Sequence, residues 1–196
     1  MIRTLILAAG ASSRMGRPKA ALPLDATGDT FLWRLCRTLL LAAPGPVTVV
    51  SGAAPAAVIG ALPPGRRGVR VVQHEGWAEG QLSSLLAGLD AVEAPTTEAV
   101  LVALVDTPLV SPRTVTAVVE RWRRTRAPIV RPARGATHGH PVIFDRAIFP
   151  ALRAADPAHG ARPVVHALAA SIENVEVDDP GAFRDFDTPA DLAGLS

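Results

Sequence analysis

The chain has 196 residues, 48% of them apolar and 19% charged, a balance that fills a folded core and excludes a disordered or collagen-like polymer. Twenty Lys and Arg against eighteen Asp and Glu leave +2 at neutral pH, too little to suggest a nucleic-acid partner; the pI near 9.4 is high because nineteen of the twenty cations are Arg, which does not titrate below about pH 12. A lone cysteine, Cys36, excludes a disulfide framework or a cysteine-built metal site and suits the reducing cytoplasm, and no apolar run approaches the roughly 18 residues that would cross a membrane.

The length predicts a single domain over 1–196. Its first predicted element is a strand at 4–8. The same start imitates a secretory leader, with one cation, a short apolar stretch and small residues, but the stretch is at the lower limit and a motif follows it in place of a mature N-terminus. Helices at 30–42, 55–62, 81–92 and 111–125 then alternate with strands at 47–51, 69–73 and 99–105, which is the pattern of stacked βαβ units and a mainly parallel sheet. Strands at 128–131, 142–144 and 172–177 and helices at 146–154, 162–170 and 188–195 complete the chain, with loops at 63–68 and 133–139. Ser111-Pro112 and Thr188-Pro189 each put a capping hydroxyl before a proline at the first helical position, and Asp191 adds an acid in the first turn. In such a sheet functional residues belong beyond the C-terminal strand ends.

Beyond the first strand the chain reads Leu7-Ala-Ala-Gly-Ala-Ser-Ser-Arg-Met-Gly-Arg-Pro-Lys-Ala-Ala-Leu-Pro23. Its small residues let backbone N–H groups approach an anion, and Arg14, Arg17 and Lys19 add positive charge, a combination suited to a polyphosphate. The spacing fits neither Gly-x-x-x-x-Gly-Lys-Ser/Thr nor Gly-x-Gly-x-x-Gly, which argues against the common ATPase loop and against a dinucleotide-binding dehydrogenase. A Gly/Ser turn with solvated arginines explains most of the loop but not Lys19. In a chain that uses Arg nineteen times, its one lysine invites a chemical explanation.

Further along, Ser83 and Ser84 fall in the first turn of a helix, where hydroxyls and free N–H groups either bind a base or ribose or merely cap the helix. Asp106 ends the most apolar run of the chain, Ala99-Val-Leu-Val-Ala-Leu-Val105. A carboxylate there needs a cation or donors, so the candidates are Mg²⁺ beside a phosphate or an ordinary cap to Thr107-Pro108. His138 and His140 stand two apart before a strand, without further ligands at metal-site spacing.

The first loop resembles the signature of the MobA-like nucleotidyltransferases. Its Leu-Ala-Ala-Gly form is similar to the molybdenum cofactor cytidylyltransferases, whereas guanylyltransferases usually carry Leu-Ala-Gly-Gly. The resemblance implies that Leu7, Ala8, Ala9, Gly10, Ser12, Ser13, Arg14, Met15, Gly16 and Lys19 wrap a nucleoside triphosphate, with Arg14 and Lys19 on its phosphates. Trp77-Ala-Glu-Gly-Gln-Leu-Ser-Ser-Leu85 is similar to the family's Trp-x-x-Gly-x-x-x-Ser-Leu element, which implies base and sugar contacts from Gly80, Ser83 and Ser84. Val105-Asp-Thr-Pro108 departs from the family's Gly-Asp-x-Pro by Val for Gly, which narrows the room around a metal. Asp185-Phe-Asp-Thr-Pro-Ala-Asp-Leu192 resembles its Asp-x-Asp-Thr-Pro-Glu-Asp-Leu, implying Asp106 and Asp187 as metal ligands, with Asp185 as substitute and Asp191 serving a helix N-terminus; an N-cap is the plainer role for Asp187.

On the acceptor side the resemblance implies Gly139, His140 and Pro141, and Arg162 through a loop whose three residues between Asp156 and Gly160 replace the family's one. A strand-start histidine and a helix-start arginine are the plainer readings. His166, Trp33, Trp122 and Cys36 fall in helical patterns and read as core or surface residues.

Spanning residues 7–192, the resemblance implies a three-layer, Rossmann-like α/β sandwich of the nucleotide-diphospho-sugar transferase type. It further implies Mg²⁺-dependent transfer of CMP from CTP to a molybdopterin-type cofactor, with Lys19, Arg14 and Asp106 as catalytic groups, no nucleic acid or membrane partner, and a molybdoenzyme as recipient. The rivals are a GTP- or other NTP-dependent enzyme with another phosphorylated acceptor, and a maturation factor that binds without catalysis.

Overall fold

Leu5 and Leu7 of the first strand pack into one apolar cluster while Ile2, Ile6 and Ala8 pack into another, the two-residue alternation of a strand covered on both faces. The computed structural model describes residues 1–24 and 28–193, and this strand, β1 (Ile2–Ala8), is central in its sheet. It pairs in parallel with β2 (Val47–Ser51) on one side and β4 (Ala99–Leu104) on the other, and β3 (Val69–Gln73) continues beyond β2. The apolar stretch that imitates a leader is therefore the middle of the core.

Beyond β4 lie β7 (Val142–Asp145) and then β5 (Ile129–Arg134), so that the eight-stranded sheet runs β3-β2-β1-β4-β7-β5, with β8 (Ile172–Glu176) parallel to β5 and the short β6 (Thr137–His138) returning against the end of β5. Only β6 and β7 oppose the other strands. The sheet is thus mostly parallel, as the sequence predicts. The antiparallel insertion of β7 was not legible, because a short apolar run carries no sign of its direction.

Helices α1 (Phe31–Ala42), α2 (Pro55–Gly60) and α4 (Pro112–Thr125) cover one face, and α3 (Gln81–Val92), α5 (Phe149–Arg153) and α6 (Arg162–Ala167) the other, giving three layers. Thr30 and Ser111 cap α1 and α4, their hydroxyls accepting from the amides of Trp33 and Thr114. Trp122 is buried on α4 with its indole N–H donating to Asp145, and Cys36 is buried on α1.

Five of the expected spans differ from what forms. The span 146–154 divides into a 3-10 turn and α5, because Pro150 has no N–H to give and sits in the first helical turn. Residues 162–170 divide likewise at Leu168, and α2 stops at Gly60. The loop expected at 133–139 contains the end of β5, a turn with Gly135 at φ +58° and β6. The helix expected at 188–195 is a 3-10 turn over Pro189–Leu192, and its last two expected residues lie outside the described ones.

Strand β1 pairs Leu7 with Leu104 of β4, so the loops leaving both strands emerge side by side where the strand order reverses. That reversal opens the crevice in which an α/β sheet binds its ligand.

Candidate active site

The loop after β1 is shaped by its own residues before any ligand is considered. Ser12 is left-handed at φ 55°; its carbonyl accepts from the amides of Met15 and Gly16 at 3.0 and 3.2 Å, and its hydroxyl accepts from the Lys19 amide at 3.1 Å. Gly16, at φ +74°, makes the turn that side chains rarely adopt. Met15 points away and anchors the loop in a small apolar cluster with Leu22, Leu24, Phe31 and Phe186.

Phe186 positions the other half of the site. Its ring meets Phe31 edge-on at 5.2 Å, and its amide donates to the Asp106 carbonyl at 3.0 Å. Burying this one aromatic fixes its neighbours Asp185 and Asp187 at the strand ends. Asp191 fixes them further: its Oδ2 accepts from the amides of Asp187 and Thr188 at 2.9 and 2.7 Å, and these bonds hold its carboxyl below the usual range. Asp191 thus takes the turn-stabilising role that the sequence gives it.

These anchors bring distant residues to one cation. The Lys19 ammonium donates to Asp187 Oδ1 at 2.6 Å and to Asp106 Oδ2 at 3.0 Å, and Arg14 meets Asp187 Oδ2 at 3.0 Å. The Lys19 side chain is 11% exposed and that of Arg14 is 72% exposed, so the lysine is the fixed charge and the arginine the open one. Burial pulls the Lys19 pKa down, but the hydrogen bond to Asp187 and the charge and hydrogen bond of Asp106 outweigh it and leave it raised. Asp187 is lowered, chiefly by its hydrogen bond from Lys19. Asp185 moves the other way, raised first by burial and then by the charges of Asp106 and Asp187.

A cavity of about 720 Å³ opens over this cluster. Leu7 to Gly10, Ser12 to Arg14 and Lys19 wall one side, Gly80 and Ser84 another, and Asp106, Asp187 and Arg162 line it too. Met15, Gly16 and Ser83 do not. The Ser83 hydroxyl donates to the carbonyls of Gly76 and Gly80 and pairs with His74 Nε2 at 3.0 Å, so it braces the loop before α3 while Ser84 faces the cavity. Trp77 and Gln81, which the sequence did not single out as site residues, border the cavity as well, and Asp185, the substitute metal ligand named above, lines it too. Gly52 explains how Trp77 comes so close: a Cβ there would lie 2.5 Å from Trp77 Cβ and 2.6 Å from the Ala9 carbonyl oxygen.

Arg162, with Leu7, Gln81 and Leu104, also lines a second cavity of about 560 Å³ between α3 and α6. Its wall is mostly apolar, and His140, His159, His166 and Arg131 supply its polar groups. Burial lowers the His140 pKa and leaves the ring neutral at pH 7, and its Nδ1 is buried with no partner among the described residues. Gly139 and Pro141 line neither cavity. The Gly139 amide donates to the Pro132 carbonyl, and a Cβ on it would lie 2.1 Å from the Ala182 carbonyl oxygen, so Gly139 serves chain packing. His166, read from its helical pattern as core or surface, faces this second cavity.

Among the described residues no group of three or more His, Cys, Asp or Glu is arranged to hold a metal ion. Two carboxylates suffice where phosphate oxygens complete the shell, and Asp106 Oδ1 is buried with no hydrogen-bond partner among the described residues. An orphaned carboxylate oxygen beside Asp187 is a donor set that fits a hard divalent cation. No described helix is long and apolar enough to cross a membrane.

Known structures share this architecture. The crystal structure of Rv0371c from Mycobacterium tuberculosis H37Rv is 27% identical, with TM-score 0.81 over 99% of this chain and 96% of that one. The same protein in complex with manganese is 26% identical with TM-score 0.78, over 99% and 97% of the two chains. A nucleotidyl transferase from Methanothermobacter is 25% identical with TM-score 0.81, over 98% and 94%. Molybdopterin-guanine dinucleotide biosynthesis protein A from Archaeoglobus fulgidus, at 16% identity and TM-score 0.71 over 100% and 96%, shares the fold. No curated protein matches the sequence. The model of the MobA-like NTP transferase domain matches residues 4–173, and the chain therefore belongs to that family.

Proposed function

We propose that the chain transfers a CMP unit from CTP to the terminal phosphate of a molybdopterin-type cofactor and releases pyrophosphate, acting as one cytoplasmic domain over residues 1–196. The observation that carries this reading is the Lys19 ammonium held between Asp106 and Asp187 at the floor of the larger cavity, with Arg14 open above it. Those cations and the backbone of the β1 loop suit a triphosphate, and Ala9, Trp77 and Ser84 border the cavity on the side left for a base. The second cavity, joined to the first through Arg162, supports an acceptor with an anionic end and a ring system that buries against apolar walls.

The acceptor oxygen is already anionic and needs no general base. It forms a bond to the α-phosphorus as the α–β phosphoanhydride bond breaks, and the electron pair leaves on pyrophosphate. Lys19 and Arg14 hold the phosphates and offset their charge, so positioning and electrostatics supply the catalysis. Asp106 and Asp187 would hold Mg²⁺, which supplies further charge neutralisation when bound. Arg162 and the neutral His140 orient the acceptor.

The test supplies molybdenum cofactor, Mg²⁺ and α-labelled CTP, GTP or ATP in parallel and follows label entering the acceptor. Labelling from CTP and not from GTP or ATP is the predicted result. Labelling from GTP alone reassigns the base. No labelling from any nucleotide, with folded protein, overturns transfer to this acceptor and favours another phosphorylated acceptor or a binding role.

A further inference from the structure

Four side chains at the floor of the larger cavity face two incompatible duties. Lys19 takes Asp106 Oδ2 at 3.0 Å and Asp187 Oδ1 at 2.6 Å and Arg14 takes Asp187 Oδ2, and the same two carboxylates are the donor set that suits a divalent cation, with Asp106 Oδ1 their one oxygen without a partner among the described residues. Lys19 and Arg14 are the cations that suit a triphosphate, yet Lys19 is engaged by both carboxylates and Arg14 by one of them. An ammonium that keeps both carboxylates, with Arg14 on the other Asp187 oxygen, leaves a metal ion no unengaged oxygen of Asp187 and so competes with it for the pair. Carboxylates that keep the ammonium withhold it from phosphate.

We infer that Lys19 is a stand-in cation, a positioning residue that holds Asp106 and Asp187 together until a divalent ion replaces it and is thereby released to the phosphates. The inference rests on the metal and triphosphate roles proposed above. Its physical basis is that partly buried carboxylates brought together without a cation repel one another and lose hydration, which the buried ammonium offsets. A divalent ion offsets more of that repulsion, and the displaced ammonium then needs an anion, which the triphosphate provides. Metal and nucleotide consequently bind with positive coupling, each raising the affinity for the other by the same factor. Lys19 suits this exchange because it reaches into the cluster as a flexible point charge, whereas the exposed Arg14 touches only Asp187.

Titration with Mn²⁺ alone, read by the free-ion electron paramagnetic resonance signal, tests the exchange without any turnover. Lys19→Met is predicted to bind Mn²⁺ about fivefold or more tightly than the wild type when no nucleotide is present. Arg14→Gln, which removes a charge but no occupant of the shared site, is predicted to gain less. Equal or weaker binding by folded Lys19→Met, or an equal gain in Arg14→Gln, overturns the inference. Unchanged Mn²⁺ affinity in Asp106→Asn overturns the metal role and the inference with it, while failure of the CTP assignment alone leaves these titrations unaffected.

The wild type offers a second test that needs no variant to fold. Lys19 is the only lysine, so protein grown with labelled lysine gives one ammonium signal. Mg²⁺ without nucleotide is predicted to shift that signal as the carboxylates change partner. A signal unmoved at saturating Mg²⁺ would overturn the exchange.

Discussion

Lys19 and Cys36 govern the alkaline behaviour of the fold, because the chain has no tyrosine and no second lysine. Burial raises the Cys36 thiol from 9.0 to about 12, with a small opposing effect from Arg66. Lys19 is raised above 10.5, burial opposing and its two carboxylates prevailing. Both groups hold protons in the folded state that the unfolded chain has released, so each contribution is complete below the unfolded value and is lost as pH rises toward the folded one. Stability is predicted to fall from about pH 9 and more steeply above 10.5, with Cys36→Ala removing the first part and Lys19→Met the second. Urea midpoints measured from pH 7 to 11 check this, and an unchanged slope in both variants would contradict it. Asp187 acts in the opposite sense: its lowered pKa gives stability above the unfolded carboxylate value that is lost as pH falls through the folded one.

Among elements, the segment after β8 decides whether the site forms. The 3-10 turn at Pro180–Ala182 wedges between the β6–β7 junction and the loop after β4: the His140 amide donates to the Ala182 carbonyl at 2.9 Å, and Asp179 accepts from the Ser111 amide and the Thr114 hydroxyl. Backbones approach so closely there that a Cβ on Gly139 or Gly181 would lie 2.1 Å from a carbonyl oxygen. Gly139→Ala is predicted to cost about 1–3 kcal/mol through overpacking. Gly60→Ala, whose Cβ meets nothing within 4 Å, is predicted to stay near wild type, and denaturant midpoints distinguish the two. Sequence patterns located every strand but β6, and the Ser111 cap, because alternation and capping are local. The wedge was not legible: its partners are far apart in sequence, and a glycine gives no sign of which backbone will press against it.

At the scale of the whole molecule, the fold places one polar and one apolar cavity side by side where the strand order reverses, with Arg162 bordering both. The β1 loop and the aspartates of the polar cavity were legible, since small residues, a single lysine and a carboxylate after a buried strand are unusual enough to be read locally. Asp187 was distinguishable from Asp185 only in the fold, where Phe186 turns inward and Asp187 meets Lys19. His159 and His166 were missed as cavity residues because α6 leaves a void beneath it that helical periodicity does not reveal. Lys19 is the charge that joins these parts, and its role is read from pyrophosphate release by wild type and Lys19→Met with CTP, Mg²⁺ and molybdenum cofactor. Removal of the ammonium is predicted to lower turnover by about 10²–10³-fold in a folded protein, and near-normal turnover in that variant would contradict the role of Lys19.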